Sequence, residues 1–384
     1  MPELDARGLQ RVARHWQAFV DQGRIVGGVL LLAQDGEVRY ASARGWADRE
    51  RGVPMQRQTR FRLASLSKLL TSISVLRLCE MGVLALDAPV TCWLRDFRPR
   101  LADGREPVIE LRHLLSHTAG LSYGFEQLPG NGYECAGVSD GLDVTPIGLE
   151  ENLRRLAELP LQFEPGTAWG YSLGTDVIGA VIERATGESL GVAVARWVTG
   201  PSGMTDTGFP QAGDVKAELA VAYKDSAFEP SLIQFDDVLE LDSGQARVSS
   251  ARAFDPGQYQ SGGAGMLGTA GDYLKLLEYL RLGGAPLLSE ASVGRLVGNA
   301  IDEIGIKGRG PGWKFGLGPA VLTDPLAAQQ VQGAGTWSWC GVYGSHYWVD
   351  PVARISLVAM TNTAVTGAWG EFADGLVAAI YSRG

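Results

Sequence analysis

The sequence predicts an α/β (α+β) fold: an antiparallel sheet flanked by N- and C-terminal helices, with a mostly helical segment inserted between its halves. Three observations carry this expectation. Each end of the chain pairs a helical stripe with a hairpin signal. The middle reads as helices separated by long loops. The chain has 384 residues, 45% hydrophobic and 20% charged, which is enough for a large core without staples. At roughly 150 residues per unit, that length suggests about two or three units, or one domain with an insertion.

Leu9, Val12, Trp16 and Val20 recur at i, i+3, i+7 and i+11, the stripe of an amphipathic helix. Asp5, Arg7, Arg11 and Arg14 interrupt it, so there is no signal-peptide apolar core and a cytoplasmic protein is expected. Residues 25–34 are apolar and rich in Val and Leu, Asp35-Gly36 follows, and residues 37–44 partly alternate. Asp-Gly between two such runs signals a hairpin, because the turn needs positive φ at its centre. Near the other end, residues 343–349 lead into Asp350-Pro351, and residues 354–360 resume an extended run. Trp369, Phe372, Leu376 and Ile380 then close the chain on one helical face. A helix packed on an antiparallel sheet is expected from both ends.

In the middle, Leu149, Leu153 and Leu156 predict a helix within 147–159 that stops at Pro160. Val177, Ile178, Val181 and Ile182 predict another ending at Gly187, and residues 111–117 a third. Residues 86–240 therefore read as the inserted, mostly helical domain. Residues 1–85 and 241–384 read as the sheet domain, with an active site expected at their interface. Residues 120–144 and 201–262 carry little periodicity and much Gly, Pro and Asp, as functional rims do.

Lys plus Arg number 34 against 43 Asp plus Glu, a formal charge of −9. A nucleic-acid surface would need clustered positive charge. No apolar run approaches the ~18 residues of a membrane span. The expected partner is a small molecule, with no nucleic acid and no membrane. Cys79, Cys92, Cys135 and Cys340 are scattered without C-x-x-C or paired Cys/His spacing, so free thiols are expected and a zinc site is not.

The most informative segment is Phe61-Arg62-Leu63-Ala64-Ser65-Leu66-Ser67-Lys68. Residues 65 to about 81 read as a buried helix, with Leu69, Ile73, Leu76 and Met81 among its apolar positions. Ser65 is expected in its first turn, with Lys68 on the same face. Free N–H groups and positive potential at the helix start add to the setting. Serine is a weak nucleophile until a base takes its proton, and a desolvated lysine can be that base. Taken alone, the same spacing fits a helix cap followed by a snorkelling lysine.

Downstream elements favour the chemical reading. The Phe61–Lys68 segment resembles the nucleophile motif of the serine β-lactamase and penicillin-binding-protein superfamily. Leu114-Leu115-Ser116-His117-Thr118-Ala119-Gly120-Leu121 resembles the H-T-x-G-L element of class C enzymes and their esterase relatives. Glu164-Pro165-Gly166 followed by Tyr171-Ser172-Leu173 resembles the approach to the second motif, whose tyrosine is catalytic. Ser261-Gly262-Gly263-Ala264-Gly265-Met266 resembles another recurrent element. Trp339-Cys340-Gly341-Val342 stands where K-T-G and the next residue are expected, on a sheet-edge strand. The elements follow the family's order over nearly the whole chain. They resemble most the family VIII carboxylesterases, whose third motif is often W-G-G.

That resemblance implies a β-lactamase-like fold and a serine carboxylesterase cleaving short- to medium-chain esters through an acyl-enzyme on Ser65. It implies that Lys68 and Tyr171 share the proton transfers and that the backbone N–H groups of Ser65 and Val342 form the oxyanion hole. Trp339, Cys340, Gly341, Leu173 and Trp337 are the implied substrate-binding residues. No metal or organic cofactor is implied. Two positions depart from the β-lactamase pattern: Leu173 replaces an amide-binding Asn, and Trp339 replaces a carboxylate-binding lysine. Those losses weaken charge-assisted recognition of an anionic amide, and an aromatic wall suits an ester. Trp337, Trp339, Tyr343 and Trp348 lie close in sequence and suggest an aromatic-lined pocket. A β-lactamase, D-amino-acid peptidase or amidase, an acyltransferase and a covalent sensor that never turns over are the alternatives.

Three patterns compete. Gly170-Tyr171-Ser172-Leu173-Gly174 is a literal G-x-S-x-G, but Pro165 and Gly166 interrupt the strand that motif needs, and only His346 follows as a base. Gly263-Ala264-Gly265-Met266-Leu267-Gly268 matches a dinucleotide fingerprint but follows Pro256, Gln258 and Ser261 rather than a strand. His113 and His117 have a metal-compatible spacing without a third ligand, so structural hydrogen bonding is expected.

Overall fold

The structure is a computed structural model that describes residues 4–211, 219–226 and 228–382. Strand β1 (Gly27–Gln34) is buried at every position, so its sequence shows an apolar run rather than alternation. The other strands of its sheet are β2 (Glu37–Asp48), β3 (Val53–Pro54), β4 (Trp313–Phe315), β5 (Ala320–Leu322), β6 (Trp337–Gly341), β7 (Ser345–Asp350) and β8 (Ile355–Thr361). The eight run in the order β4-β5-β6-β7-β8-β1-β2-β3, each antiparallel to its neighbours. The two chain ends meet at the centre, where β1 pairs β8 from Gly28 opposite Thr361 to Gln34 opposite Ile355. Asp35 and Gly36 turn the first hairpin with φ of 56° and 86°, the positive values that such a turn needs.

Alternation along β1 splits two cores. Leu30 and Leu32 face helices α1 (Ala6–Asp21) and, at the other end of the chain, Glu371–Tyr381, packing with Val12, Trp16, Phe19, Phe372, Leu376 and Ile380. Val29 and Leu31 face the larger core, with Leu69 and Ile73 of α2 (Ser67–Glu80) and Tyr273 and Leu277 of Ala270–Arg281. Two expected positions differ. Trp369 precedes the last helix and is 36% exposed, and Met81 follows the end of α2 and is 46% exposed.

The middle of the chain holds helices Leu111–Leu115, Leu149–Ala157, α3 (Gly174–Thr186) and Leu190–Val194. Gly187 caps α3 at φ 71°, a left-handed position suited to glycine. The first of these helices stops short of its expected end, because His117 takes φ 58°. Two small antiparallel pairs, Tyr223–Lys224 with Ser231–Leu232 and Asp237–Leu241 with Gly244–Val248, occupy loops without sequence periodicity. The second pair spans residue 240. No helix among the described residues is long and apolar enough to cross a membrane.

Candidate active site

Strand Phe61–Arg62 pairs with Leu267–Gly268 and leads directly into the turn that carries Ser65. Ser65 lies in a short 3-10 turn, Ala64–Leu66, and not in the first turn of the α-helix as its sequence suggested. Ala64 has φ 44°. A residue with a Cβ in the left-handed region is strained by about 1–2 kcal/mol, and such strain gathers where a side chain must be aimed. The Ser65 oxygen receives two contacts: Lys68 Nζ at 3.1 Å and the Tyr171 hydroxyl at 2.6 Å. Tyr171 arrives on the extended segment before α3, held by Gly170 N–H to His117 O and Leu173 N–H to Ser122 O.

Lys68 is 2% exposed. Burial pulls its amine down to about 7, against the opposing pull of Asp176, Cys340 and Asp140. Its Nζ donates to Gly263 O at 2.9 Å. A carbonyl only accepts, so that contact fixes one N–H and leaves the neutral amine's lone pair for the Ser65 side. Asp176, in the first turn of α3, is fully buried and accepts from Ser261 Oγ at 2.7 Å and Gly263 N–H at 3.0 Å. Burial raises its carboxyl above the usual range, and Lys68 works against that rise.

The glycine-rich run packs on α2. Thr71 Oγ1 donates to Gly262 O at 2.8 Å, and Met266 N–H donates to Ser67 Oγ at 3.1 Å. A Cβ at Gly262 would stand 2.7 Å from Thr175 O. One at Gly263 would stand 2.9 Å from the Tyr123 hydroxyl and 3.3 Å from Lys68 Nζ.

Tyr171 is ringed by aromatics, with centroids of His117 at 4.8 Å, Tyr123 at 5.0 Å and Trp339 at 5.3 Å. Burial pushes its phenol above the ordinary value, although the contacts with Ser65 and Trp339 oppose this. Trp339 Nε1 donates to the Tyr171 oxygen at 3.3 Å.

Gly341 explains how β6 comes so near. A Cβ there would lie 2.4 Å from Leu63 O, so glycine alone lets the strand approach the turn bearing Ser65. Trp339, Cys340 and Val342 line one cleft with Ser65 and Tyr171, of about 800 Å³. Among the described residues the Val342 N–H has no intramolecular acceptor.

Three expected binding residues do not border the cleft: Gly341, which is buried against Leu63, Leu173 and Trp337. Leu173 is fully buried at the start of α3 and Trp337 is 2% exposed. Both are spent on the main core and neither borders the cleft. The start of α3 turns Leu173 inward, and Trp337, on the same face of β6 as Trp339, lies farther along the strand opposite Val349 and against the Tyr347 ring. Of the aromatic cluster near the third motif, Tyr343 is also outside this cleft, while Trp348 borders it. Tyr123, Phe125, Trp169, Tyr171, Trp313 and Trp339 are also aromatic members of its wall. Tyr123 stood two residues beyond the H-T-x-G-L element, the one available signal. Trp169 lies in a loop and Trp313 opens β4, both without such a signal.

The rival groups are engaged otherwise. Ser172 is fully buried and bonded to His117 Nδ1 at 3.1 Å. Burial holds that imidazole well below its usual value, so it is neutral. His346 Nδ1 is bonded to Gly367 O at 2.9 Å, and burial takes its pKa down to about 4. His113 Nδ1 accepts from the Glu110 N–H, so it and His117 serve separate bonds.

A Beta-lactamase family profile matches residues 12–381. Esterase EstB of Burkholderia gladioli is 46% identical over 390 aligned positions, covering 99% of this chain and 97% of EstB. A Monacolin J acid methylbutanoyltransferase of Aspergillus terreus is 28% identical, covering 88% of this chain and 87% of that enzyme. Among solved structures, EstCE1, described as a hydrolase with promiscuous acyltransferase activity, superposes with a TM-score of 0.93 at 42% identity. That alignment covers 98% of this chain and 99% of EstCE1. With a strained serine turn, a buried lysine and a tyrosine meeting at one hydroxyl on this sheet, the chain belongs to the beta-lactamase family, alongside its esterase members.

Proposed function

We propose that the protein is a serine carboxylesterase that hydrolyses short- to medium-chain esters through an acyl-enzyme on Ser65. The observation that carries the reading is the double contact at Ser65 Oγ, from a lysine whose pKa is about 7 and from a tyrosine. Neutral Lys68 takes the Ser65 proton as the oxygen attacks the ester carbonyl. Tyr171, kept protonated by burial, hands a proton to the leaving alcohol and is restored through Lys68. The N–H groups of Ser65 and Val342 receive the developing oxyanion, where each preorganised donor is worth about 3–4 kcal/mol. Water, activated by the same pair, then releases the acid.

Leu173 in place of an amide-binding Asn favours esters over amides, which makes β-lactam or D-amino-acid amide cleavage a side activity. Acyl transfer is the second reading. The relatives named as a methylbutanoyltransferase and as a hydrolase with acyltransferase activity share this family, and an acyl-enzyme partitions between water and any alcohol in the cleft. The proposed compartment is the cytoplasm, in keeping with four free thiols. We further propose that the site lies between a sheet domain, 1–85 with 241–384, and an inserted domain, 86–240.

The test is a panel of p-nitrophenyl esters of graded chain length, with nitrocefin and a D-alanyl amide, on the wild type and Ser65→Ala. Ester turnover that vanishes in Ser65→Ala supports the reading. Turnover retained in that variant overturns it.

A further inference from the structure

Two cationic side chains, Lys307 and Arg309, line the cleft that holds Ser65. Lys307 is taken up by Glu126 at 3.5 Å. Arg309 has no carboxylate within ion-pair distance among the described residues. It donates from Nη1 to Ser338 Oγ at 3.1 Å, and its guanidinium carbon lies 4.3 Å from the Trp313 ring centroid and 5.8 Å from that of Trp339. Aromatic faces fix the plane of the fork, one N–H is used, and the others remain to bind an acceptor. The Trp339 indole connects this fork to the reacting atoms, since its N–H meets the Tyr171 oxygen. Of the acids that line the cleft, Glu126 is paired with Lys307, and Asp140 receives the N–H groups of Gly124 and Phe125. Asp242 is exposed. Asp374 feels the charge of Arg309 without reaching it.

We infer that Arg309 binds a carboxylate carried by the substrate away from its scissile bond. The preferred substrates are then esters bearing a remote carboxylate, such as half-esters of dicarboxylic acids. The cation missing from the third motif is thus supplied from another loop, across the tryptophan that replaced it. A planar, charged fork held by stacking is the donor suited to a carboxylate, which it can meet with two parallel N–H bonds. This inference rests on the esterase reading for Ser65.

The experiment compares charged and neutral esters of matched shape. The acyl arm uses mono-p-nitrophenyl adipate against its methyl ester, read by p-nitrophenol release. The alcohol arm uses 4-acetoxybenzoate against methyl 4-acetoxybenzoate. In the wild type, kcat/KM for the charged member of at least one pair exceeds that of its neutral partner, and the excess shrinks as salt is raised. Arg309→Met lowers the charged-to-neutral ratio about 10- to 100-fold, the worth of a hydrogen bond to a charged group, and Arg309→Lys recovers part of it. A ratio that ignores both salt and Arg309 in both arms overturns the inference. The salt series needs no variant, so a misfolded Arg309→Met leaves the test intact. Failure of the wild type to cleave either member of either pair would instead remove the esterase reading itself.

Discussion

Trp339 Nε1 donates at 3.3 Å to the Tyr171 oxygen, which itself lies 2.6 Å from Ser65 Oγ. The residue standing where the β-lactamase pattern places a lysine is therefore bonded to the proposed proton relay as well as lining the cleft. Trp339→Phe keeps an aromatic wall and removes the donor. Steady-state kinetics on a p-nitrophenyl ester should show kcat reduced about 3- to 10-fold, the net worth of one hydrogen bond, with KM changed less than kcat. A change confined to KM would limit Trp339 to binding.

As the proposed base, Lys68 sets the expected pH profile. The amine is active when neutral and burial holds its pKa at about 7. The pH profile of kcat/KM should therefore rise as pH increases through about 7 and fall by about tenfold per unit below it. An acid limb near the ordinary lysine value would contradict this assignment.

The same burial has a stability consequence. The folded protein gives up the Lys68 proton at a lower pH than the unfolded chain, so between about 7 and the ordinary lysine value the unfolded state binds more protons, and stability rises with pH. The destabilisation is complete below about 7 and is lifted as pH climbs toward the unfolded value. Lys68→Met should abolish esterase turnover while raising the unfolding free energy in urea by about 1 kcal/mol or more at pH near 6 and by less at pH near 9. An unfolding free energy lowered equally at both pH values would refute this.

Gly263 holds the lysine in register. A methyl there meets the Tyr123 hydroxyl at 2.9 Å and Lys68 Nζ at 3.3 Å. Gly263→Ala should fold, by circular dichroism, and lose about 10- to 100-fold in kcat/KM, as misplacement of a reacting group by about 1 Å does. Wild-type kinetics in this variant would show that the amine tolerates displacement.

Ser172 and His346 distinguish this chemistry from an α/β-hydrolase elbow. Ser172→Ala frees the His117 contact and should lower thermal stability by about 1–2 kcal/mol, with esterase activity still measurable. His346→Ala should behave likewise, since its ring is bonded to Gly367 O. Loss of turnover in Ser172→Ala as complete as in Ser65→Ala would reverse the assignment.

Much of the architecture was legible because its signals are local. The stripe through Val12 and Trp16, the Asp35-Gly36 turn and the Gly187 cap each specify their element within a few residues. The pairs around Tyr223 and Val238 were not, since such short strands depend on tertiary neighbours rather than on period. At the candidate site, Ser65, Lys68, Tyr171 and Trp339 were readable from motif order, and the structure brings these four side chains together. The turn type at Ser65 was not, because the backbone strain at Ala64 has no signature in a common residue. Leu173, Trp337 and Gly341 misled because motif position says nothing about how deeply a residue is packed. Asp176, Gly263 and Arg309 matter through contacts between segments distant in sequence, which no window of residues displays.

The central claim, that Ser65 is the nucleophile and Lys68 its base, is tested most directly by covalent capture. Treatment with diethyl p-nitrophenyl phosphate followed by peptide mapping should find the phosphoryl group on the Ser65 side chain, with capture much slower in Lys68→Met. Modification of Ser172 instead, or undiminished capture in Ser65→Ala, would contradict the account.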